Sequence, residues 1–343
     1  MNFGKIGAVL LIVGLSASSC SKELKMDEPG NLVPKTVMED ASLPAISVNG
    51  AKLHAQAFGP VDSTLVICLH GGPGGNFRYL LNCVSLASKG FRMVFYDQRG
   101  SGLSQRFPKH WYKDQADLAL DRTFYDDLLA VINHYKTRPQ QKVVLLTQSW
   151  GSIMGTAFTG KYPNLIDGLI LAEPGGFKWK DILDYVVESR SFGLWSEATS
   201  DAAYLDQFIT GRENQHEILD YKAGLISNNN PVVGDVKSTL GANAAHYPTP
   251  RDGAVIQTAM FEVGEKQKPD FSAGIQQFQK KVLFFYSEKN RAYPDSWAQK
   301  ISSPIPNKQI VKVPGVGHSG MFDQIDCWTS FTEPIVLDYL NEL

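Results

Sequence analysis

Leu145-Leu146-Thr147-Gln148-Ser149-Trp150-Gly151-Ser152 carries an apolar, strand-like run straight into a helix-like one, with a serine at the joint. A serine held between a strand and a helix sits on a sharp, crowded turn, where the residues two before and two after it must be small. Gly151 meets that demand; Thr147 stands where glycine is expected and is bulkier. The helix starting at Trp150 aims its first amides toward the space in front of Ser149, so Ser149 reads as a nucleophile. The competing reading of this stretch alone is a serine that caps a helix.

Outward from this turn, short apolar runs alternate with amphipathic stretches. The runs are Thr64 to Leu69, Arg92 to Tyr96, Lys142 to Leu146, Leu169 to Ala172, Lys281 to Tyr286 and Gln309 to Val313. Their continuity points to strands buried on both faces, and the alternation to an α/β fold with a mostly parallel sheet flanked by helices. A helix is expected over Thr123 to Lys136, with Thr123 as N-cap, and another over Phe331 to Leu343. The rhythm breaks over residues 176–268, where helical stretches such as Asp181 to Glu188 and Asp201 to Ile209 surround the polar loop Ser227-Asn228-Asn229-Asn230-Pro231. The expected organisation is a core of residues 45–175 and 269–343 with a helical cap, 176–268, inserted.

Three further segments fall at strand ends. His70-Gly71-Gly72-Pro73-Gly74 follows the first apolar run, and its glycines let backbone amides face a cavity. The amide of Gly72 is expected to join that of Trp150 as an oxyanion hole. Asp97-Gln98-Arg99-Gly100-Ser101-Gly102 reads as scaffold, with Asp97 and Arg99 bracing one another. Val313-Pro314-Gly315-Val316-Gly317-His318-Ser319 places a glycine-flanked histidine after the last strand. A serine needs a base at neutral pH, and His318 has the setting for it; His54, His110, His134, His216 and His246 read as surface or packing residues.

HGGPG, DQRGSG, SWGS and GHS, in this order and spacing, make the chain resemble the α/β-hydrolase superfamily, and within it the proline iminopeptidase-like (S33 peptidase) branch. The resemblance covers residues 45–343 apart from the cap. It implies a serine hydrolase working through an acyl-enzyme without metal or organic cofactor, and prolyl members cleave an N-terminal residue from small peptides. Where the family has an aspartate after the strand Lys281 to Tyr286, this chain has Ser287-Glu288-Lys289-Asn290, so Asn290 occupies the acid's position. Glu173, at the end of Leu169 to Ala172, is the carboxylate best placed to serve instead. Glu288 and Asp295 are alternatives, and Asn290 can act as helper or sole orienter. A small peptide is the expected substrate. An ester, lactone or other small acyl compound is the alternative, and a non-catalytic binding protein on a hydrolase scaffold is a third. An exopeptidase needs carboxylates in the cap for the free amine, and Glu188, Glu197, Glu213, Glu217 and Glu262 are available.

At the other end of the chain, Lys5 is followed by a nearly unbroken apolar run from Ile6 to Leu15 and then by Ser16-Ala17-Ser18-Ser19-Cys20. The run of about ten residues falls short of the roughly 20 of a membrane span, so residues 1–20 read as a signal peptide. The small residues before Cys20 resemble a bacterial lipobox, with Ala17 where leucine is usual. Cys20 is then the lipidated residue, 21–44 a tether, and the protein is expected to be exported and held on a membrane by lipid. A net charge of -2 argues against nucleic-acid partners. Cys68, Cys83 and Cys327 have no metal-binding spacing and read as buried apolar residues, with one disulfide among them open.

Overall fold

The apolar runs become buried strands in a computed structural model, which describes residues 28–190, 215–226, 232–234 and 251–343. After β1 (Ala45–Val48) and β2 (Ala51–Phe58) come β3 (Leu65–Leu69), β4 (Arg92–Tyr96), β5 (Val143–Gln148), β6 (Gly168–Ala172), β7 (Val282–Ser287) and β8 (Lys308–Val313). They form one eight-stranded sheet in the order β1-β2-β4-β3-β5-β6-β7-β8. From β4 to β8 every pairing is parallel; only the β1–β2 hairpin and its junction with β4 are antiparallel.

Strand side chains alternate between faces, and both faces are covered. Leu65, Ile67 and Leu69 join the core beneath α3 (Asp127–Tyr135) and α4 (Trp150–Lys161) through Leu128, Val131, Ile132, Ile153 and Phe158. Val66 and Cys68 join the opposite core, with Leu80, Leu86, Trp328 and the terminal helix α9 (Glu333–Asn341). Cys68 and Cys83 are buried and Cys327 half-buried, each as a free thiol.

The helix expected to begin at Thr123 begins earlier. Helices α1 (Lys109–Asp114) and α2 (Ala116–Asp121) precede it, and a wide helical turn over Arg122–Asp126 carries α2 into α3. Thr123 is therefore no cap: its hydroxyl donates back to the Ala119 carbonyl at 2.7 Å, a bond a threonine makes within a helix.

Among the described residues, the expected cap consists of α5 (Trp179–Arg190), α6 (His216–Ile226) and α7 (Ala254–Gln267); Asp201 to Ile209 and Ser227 to Pro231 lie outside them. The two ends of the insertion are pinned together by a bridge between Lys178 and Asp270, with Trp179 N donating to Pro269 O at 3.1 Å and Phe271 N to Phe177 O at 2.8 Å. The chain then resumes with β7, α8 (Asp295–Ser302) and β8.

Cys20 and the expected signal peptide lie outside the described residues. The later part of the expected tether is docked. Leu32 N donates to Glu217 of α6 at 3.0 Å, and Val37, buried, donates its amide to Leu103 O at 2.8 Å. Arg251 reaches Pro34 O at 2.7 Å and Glu39 at 3.2 Å, while its Nε and that of Arg106 both meet Asp220 Oδ2, at 2.8 and 2.9 Å. This ion cluster joins the N-terminal segment, the core loop, α6 and the segment leading into α7.

Candidate active site

Ser149 holds φ 54° and ψ −120°, a backbone conformation that L-residues adopt only when their surroundings force it. Its amide donates to Ala172 O at 2.8 Å, which locks the turn to the neighbouring strand. A Cβ at Gly151 would stand 2.2 Å from Leu69 O, so only glycine fits there. Thr147, the oversized residue of the turn, is housed on its far side. Its hydroxyl donates to Ile170 O at 2.7 Å and lies 2.9 Å from Ser152 Oγ, and its methyl occupies the room left by Gly155, whose Cβ would lie 2.9 Å from it.

Glu173 directly follows β6 with a second positive φ, 44°, and is fully buried. The β5–β6 register pairs Gln148 with Ala172, so Ser149 and Glu173 leave adjacent strand ends side by side. Four donors surround the carboxylate. Oε1 accepts from Ser287 N at 2.5 Å and Ser287 Oγ at 2.6 Å; Oε2 accepts from Asn290 Nδ2 at 2.9 Å and His318 Nδ1 at 2.5 Å. A carboxylate offers about four acceptor positions, and here each has a donor. With Nδ1 donating to Glu173, the His318 ring keeps Nε2 as its acceptor nitrogen, and 16 % of the side chain remains exposed.

The structure thus brings Glu173 to His318 and places Asn290 one step back. Asn290 gives its amide to Glu173 and to Tyr185 Oη at 3.1 Å, and accepts from Ala292 N at 3.1 Å. An aspartate at 290 would set two carboxylates against each other; an amide donor is what a neighbouring Glu173 requires. The other sequence candidates point elsewhere: Glu288 accepts from Gly315 N at 2.8 Å and Asp295 pairs with Lys312 at 2.8 Å. Two members of this network carried no sequence signal. Ser287 is one more residue at a strand end, and Tyr185 comes from cap helix α5, its hydroxyl 3.4 Å from His318 Nδ1.

Opposite lies the glycine loop after β3. A Cβ on Gly72, at φ 139°, would meet the amides of Gly74 and Gly75 at 2.5 and 2.6 Å. The Gly71 amide is taken, donating to Tyr79 Oη at 2.7 Å; of the two expected oxyanion donors, Gly72 lies next to it and Trp150 is the first residue of α4, where an amide has no intrahelical acceptor. His70 braces the loop: its Nε2 accepts from Gln98 N at 3.0 Å, so Nδ1 carries the proton and donates to Gly71 O at 2.7 Å. Burial holds the His70 ring below the ordinary histidine range, against the opposing pull of Asp97.

Asp97 and Arg99 do not brace one another as expected. Asp97 accepts from His54 Nδ1 at 2.8 Å, Leu103 N at 2.8 Å and Phe77 N at 3.0 Å. Burial pushes its carboxyl up, but these donors and the nearby His54 and His70 outweigh burial and hold it low. Of the two expectations for His54, surface or packing, the structure shows packing: it is buried and hydrogen-bonded to Asp97. Arg99 forms a two-pronged pair with Asp127, at 2.8 and 2.9 Å, beneath the rings of Phe107 and Trp111. Both aspartates are consumed by scaffold.

Of the cap carboxylates, Glu217 is bonded to the Leu32 amide and Glu262 to Lys109 and Lys113 at 2.6 and 2.9 Å; Glu197 and Glu213 lie outside the described residues. Among the described residues no cluster of three or more histidines, cysteines and carboxylates is arranged to hold a metal ion.

Comparison with known proteins agrees with this fold. The family model described as alpha/beta hydrolase fold matches residues 64–324. A proline iminopeptidase of Thermoplasma volcanium is 32% identical over 112 residues, 31% of this chain and 33% of that one. A cis-3-alkyl-4-alkyloxetan-2-one decarboxylase of Shewanella oneidensis is 29% identical over 136 residues, 40% of each chain. The matches thus span about a third to two fifths of these relatives' length. The crystal structure of a proline iminopeptidase from Mycobacterium smegmatis superposes with a TM-score of 0.56 at 17% identity, covering 87% of this chain and 98% of the other, a likeness of fold.

Proposed function

We propose, from the premise that this chain belongs to the alpha/beta hydrolase fold family, that it is a serine hydrolase acting through an acyl-enzyme. The observation that carries the reading is the buried Glu173 carboxylate 2.5 Å from His318 Nδ1, on the strand end beside the strained Ser149. Ser149 Oγ attacks the substrate carbonyl carbon while its proton passes to His318 Nε2, and Glu173 stabilises the imidazolium that forms. Charge developing on the carbonyl oxygen faces the amides of Gly72 and Trp150. The proton then moves from His318 to the leaving group, and water, deprotonated by the same imidazole, releases the acyl group.

The substrate reading is cleavage of an N-terminal residue from a small peptide, supported by the iminopeptidase relatives and the glycine loop. A small ester or lactone is the second reading, supported by the engagement of Glu217 and Glu262 with partners inside the protein. Wild type and Ser149→Ala, both lacking residues 1–20, are to be assayed on prolyl arylamides with free and blocked amines and on 4-nitrophenyl acetate. Ser149-dependent cleavage of the free-amine arylamide is expected. Activity on the ester alone supports the second reading, and failure of a fluorophosphonate to label Ser149 overturns both.

Export with lipidation at Cys20 completes the proposal. The full chain expressed in a bacterium should enter the detergent phase on phase separation, and Cys20→Ala should move it to the aqueous phase.

A further inference from the structure

A line of three hydrogen bonds runs behind the nucleophile from the glycine loop to the histidine loop. Gly71 N donates to Tyr79 Oη at 2.7 Å, Tyr79 Oη donates to Gln148 Oε1 at 2.7 Å, and Gln148 Nε2 donates to His318 O at 3.1 Å. Its two ends are backbone groups with fixed roles, an N–H that must donate and a C=O that must accept. The Tyr79 hydroxyl therefore accepts on one side and donates on the other, and the Gln148 amide has one orientation. Each proton along the line is assigned by its ends.

The line joins the parts that must keep register during acyl transfer. Gly71 precedes the oxyanion donor Gly72, Gln148 precedes the nucleophile Ser149, and the carbonyl belongs to the base His318 itself. Packing is tight at the middle: a Cβ on Gly71 would lie 2.7 Å from Gln148 Oε1 and 2.9 Å from Ser149 Cβ. Gln148 is buried, so no solvent replaces a lost partner cheaply. The glycine loop is otherwise held by His70, which binds Gly71 O, and by the Gly253 amide, which donates to Gly74 O at 2.6 Å; neither engages the Gly71 amide, which is left to Tyr79.

We propose that Tyr79 and Gln148 are positioning residues that hold the oxyanion loop in register with the catalytic histidine. This rests on the serine-hydrolase reading above and adds two residues to it. Neither touches the reacting atoms; they act through Gly72 and His318. Their loss is expected to weaken transition-state stabilisation and to leave substrate binding alone. The upper bound is the loss of an oxyanion donor, about 10²- to 10³-fold in kcat, and a displaced rather than deleted donor should cost about tenfold.

The test is a double-mutant cycle of Tyr79→Phe, Gln148→Met and the double variant. It reads kcat and KM for 4-nitrophenyl acetate, the rate of fluorophosphonate labelling and thermal melting. Expected are a fall of about tenfold in kcat and labelling rate for each single variant, unchanged KM, and a double variant no slower than the slower single, because both changes break one line. Effects that multiply, or a Tyr79→Phe variant with wild-type kcat, overturn the proposal. So does a loss of kcat that merely tracks a loss of melting temperature. Wild-type protein that does not label overturns the serine-hydrolase reading and this inference with it; wild type that labels beside variants that label equally fast overturns this inference alone.

Discussion

Replacing Glu173 by glutamine removes one charge and no bulk, and the surrounding donors dictate how the site must rearrange. Ser287 N and Oγ, at 2.5 and 2.6 Å, both require an acceptor, so the glutamine oxygen must take the Oε1 side. Its NH2 group then replaces Oε2 and faces two donors, Asn290 Nδ2 and His318 Nδ1. The imidazole can relieve this only by moving its proton to Nε2, the tautomer that cannot accept a proton from Ser149. In the serine-protease triad the same exchange costs about 10⁴ in kcat, and a loss of about 10³- to 10⁴-fold is expected here. Stability should fall by about 1–3 kcal/mol, the cost of leaving the buried Asn290 donor unpaired. The assay is kcat for 4-nitrophenyl acetate across pH, beside a thermal melt and controls Glu288→Gln and Asp295→Asn, which should keep nearly full activity. A folded Glu173→Gln protein retaining more than about a tenth of wild-type kcat, far above the triad precedent, would refute the assignment of Glu173 as the orienting acid.

Three other outcomes are expected. Asn290→Asp puts a second carboxylate where an amide now sits 2.9 Å from Glu173 Oε2; the pair then holds a proton to higher pH, so the acidic limb of the rate profile should move upward, by a unit or more on the order of other carboxylate pairs. Gly155→Ala ought to gain about 1 kcal/mol from helix propensity, yet the new Cβ meets the Thr147 methyl at 2.9 Å, so a lower melting temperature is expected, recovered when Thr147→Ser is added, which removes the methyl and keeps the hydroxyl that donates to Ile170 O. His216 is held down to about 4, chiefly by burial, with Arg106 and Arg251 pressing the same way against Asp220 and Glu39. Between that value and the ordinary 6.5 the unfolded chain binds the extra proton, so stability should decline as pH falls from about 6.5 toward 4, by at most about 3 kcal/mol for this group. His216→Gln should flatten the melting temperature over that window; an unchanged slope contradicts it.

The sheet was legible because strands covered on both faces are written as unbroken apolar runs, and all six expected runs begin within one residue of the observed strand. The hairpin β1–β2 was not, since Ala51 to Phe58 mixes small, polar and apolar residues in no clear period. Thr123 looked like a cap because threonine at a helical onset usually is one; the wide turn that continues α2 leaves no local trace. At the site, Ser149, His318 and Gly72 announce themselves through glycines that sharp turns demand. The acid does not. Whether Glu173 or the residue at 290 reaches the histidine depends on the β6–β7 register and the path of the His318 loop, neither of which any short stretch encodes. Tyr185, Tyr79 and Ser287 act through single hydroxyls whose partners lie far along the chain, and such contacts have no spacing to read.

The position of Glu173 divides the machinery unequally about the inserted helices. On the proposed reading, oxyanion donors, nucleophile and acid are all encoded before residue 176, and the nucleophile and acid directly follow bonded neighbouring strands. Only the base is translated after the insertion. With the acid after β7, acid and base would have shared the later half, and any remodelling of the insertion could have shifted both against the serine. Here much of the insertion can be lengthened, exchanged or reshaped while three of the four elements keep their mutual geometry, so that new specificities need only preserve the return path of one loop and the Gly253 amide that donates to Gly74 O at 2.6 Å.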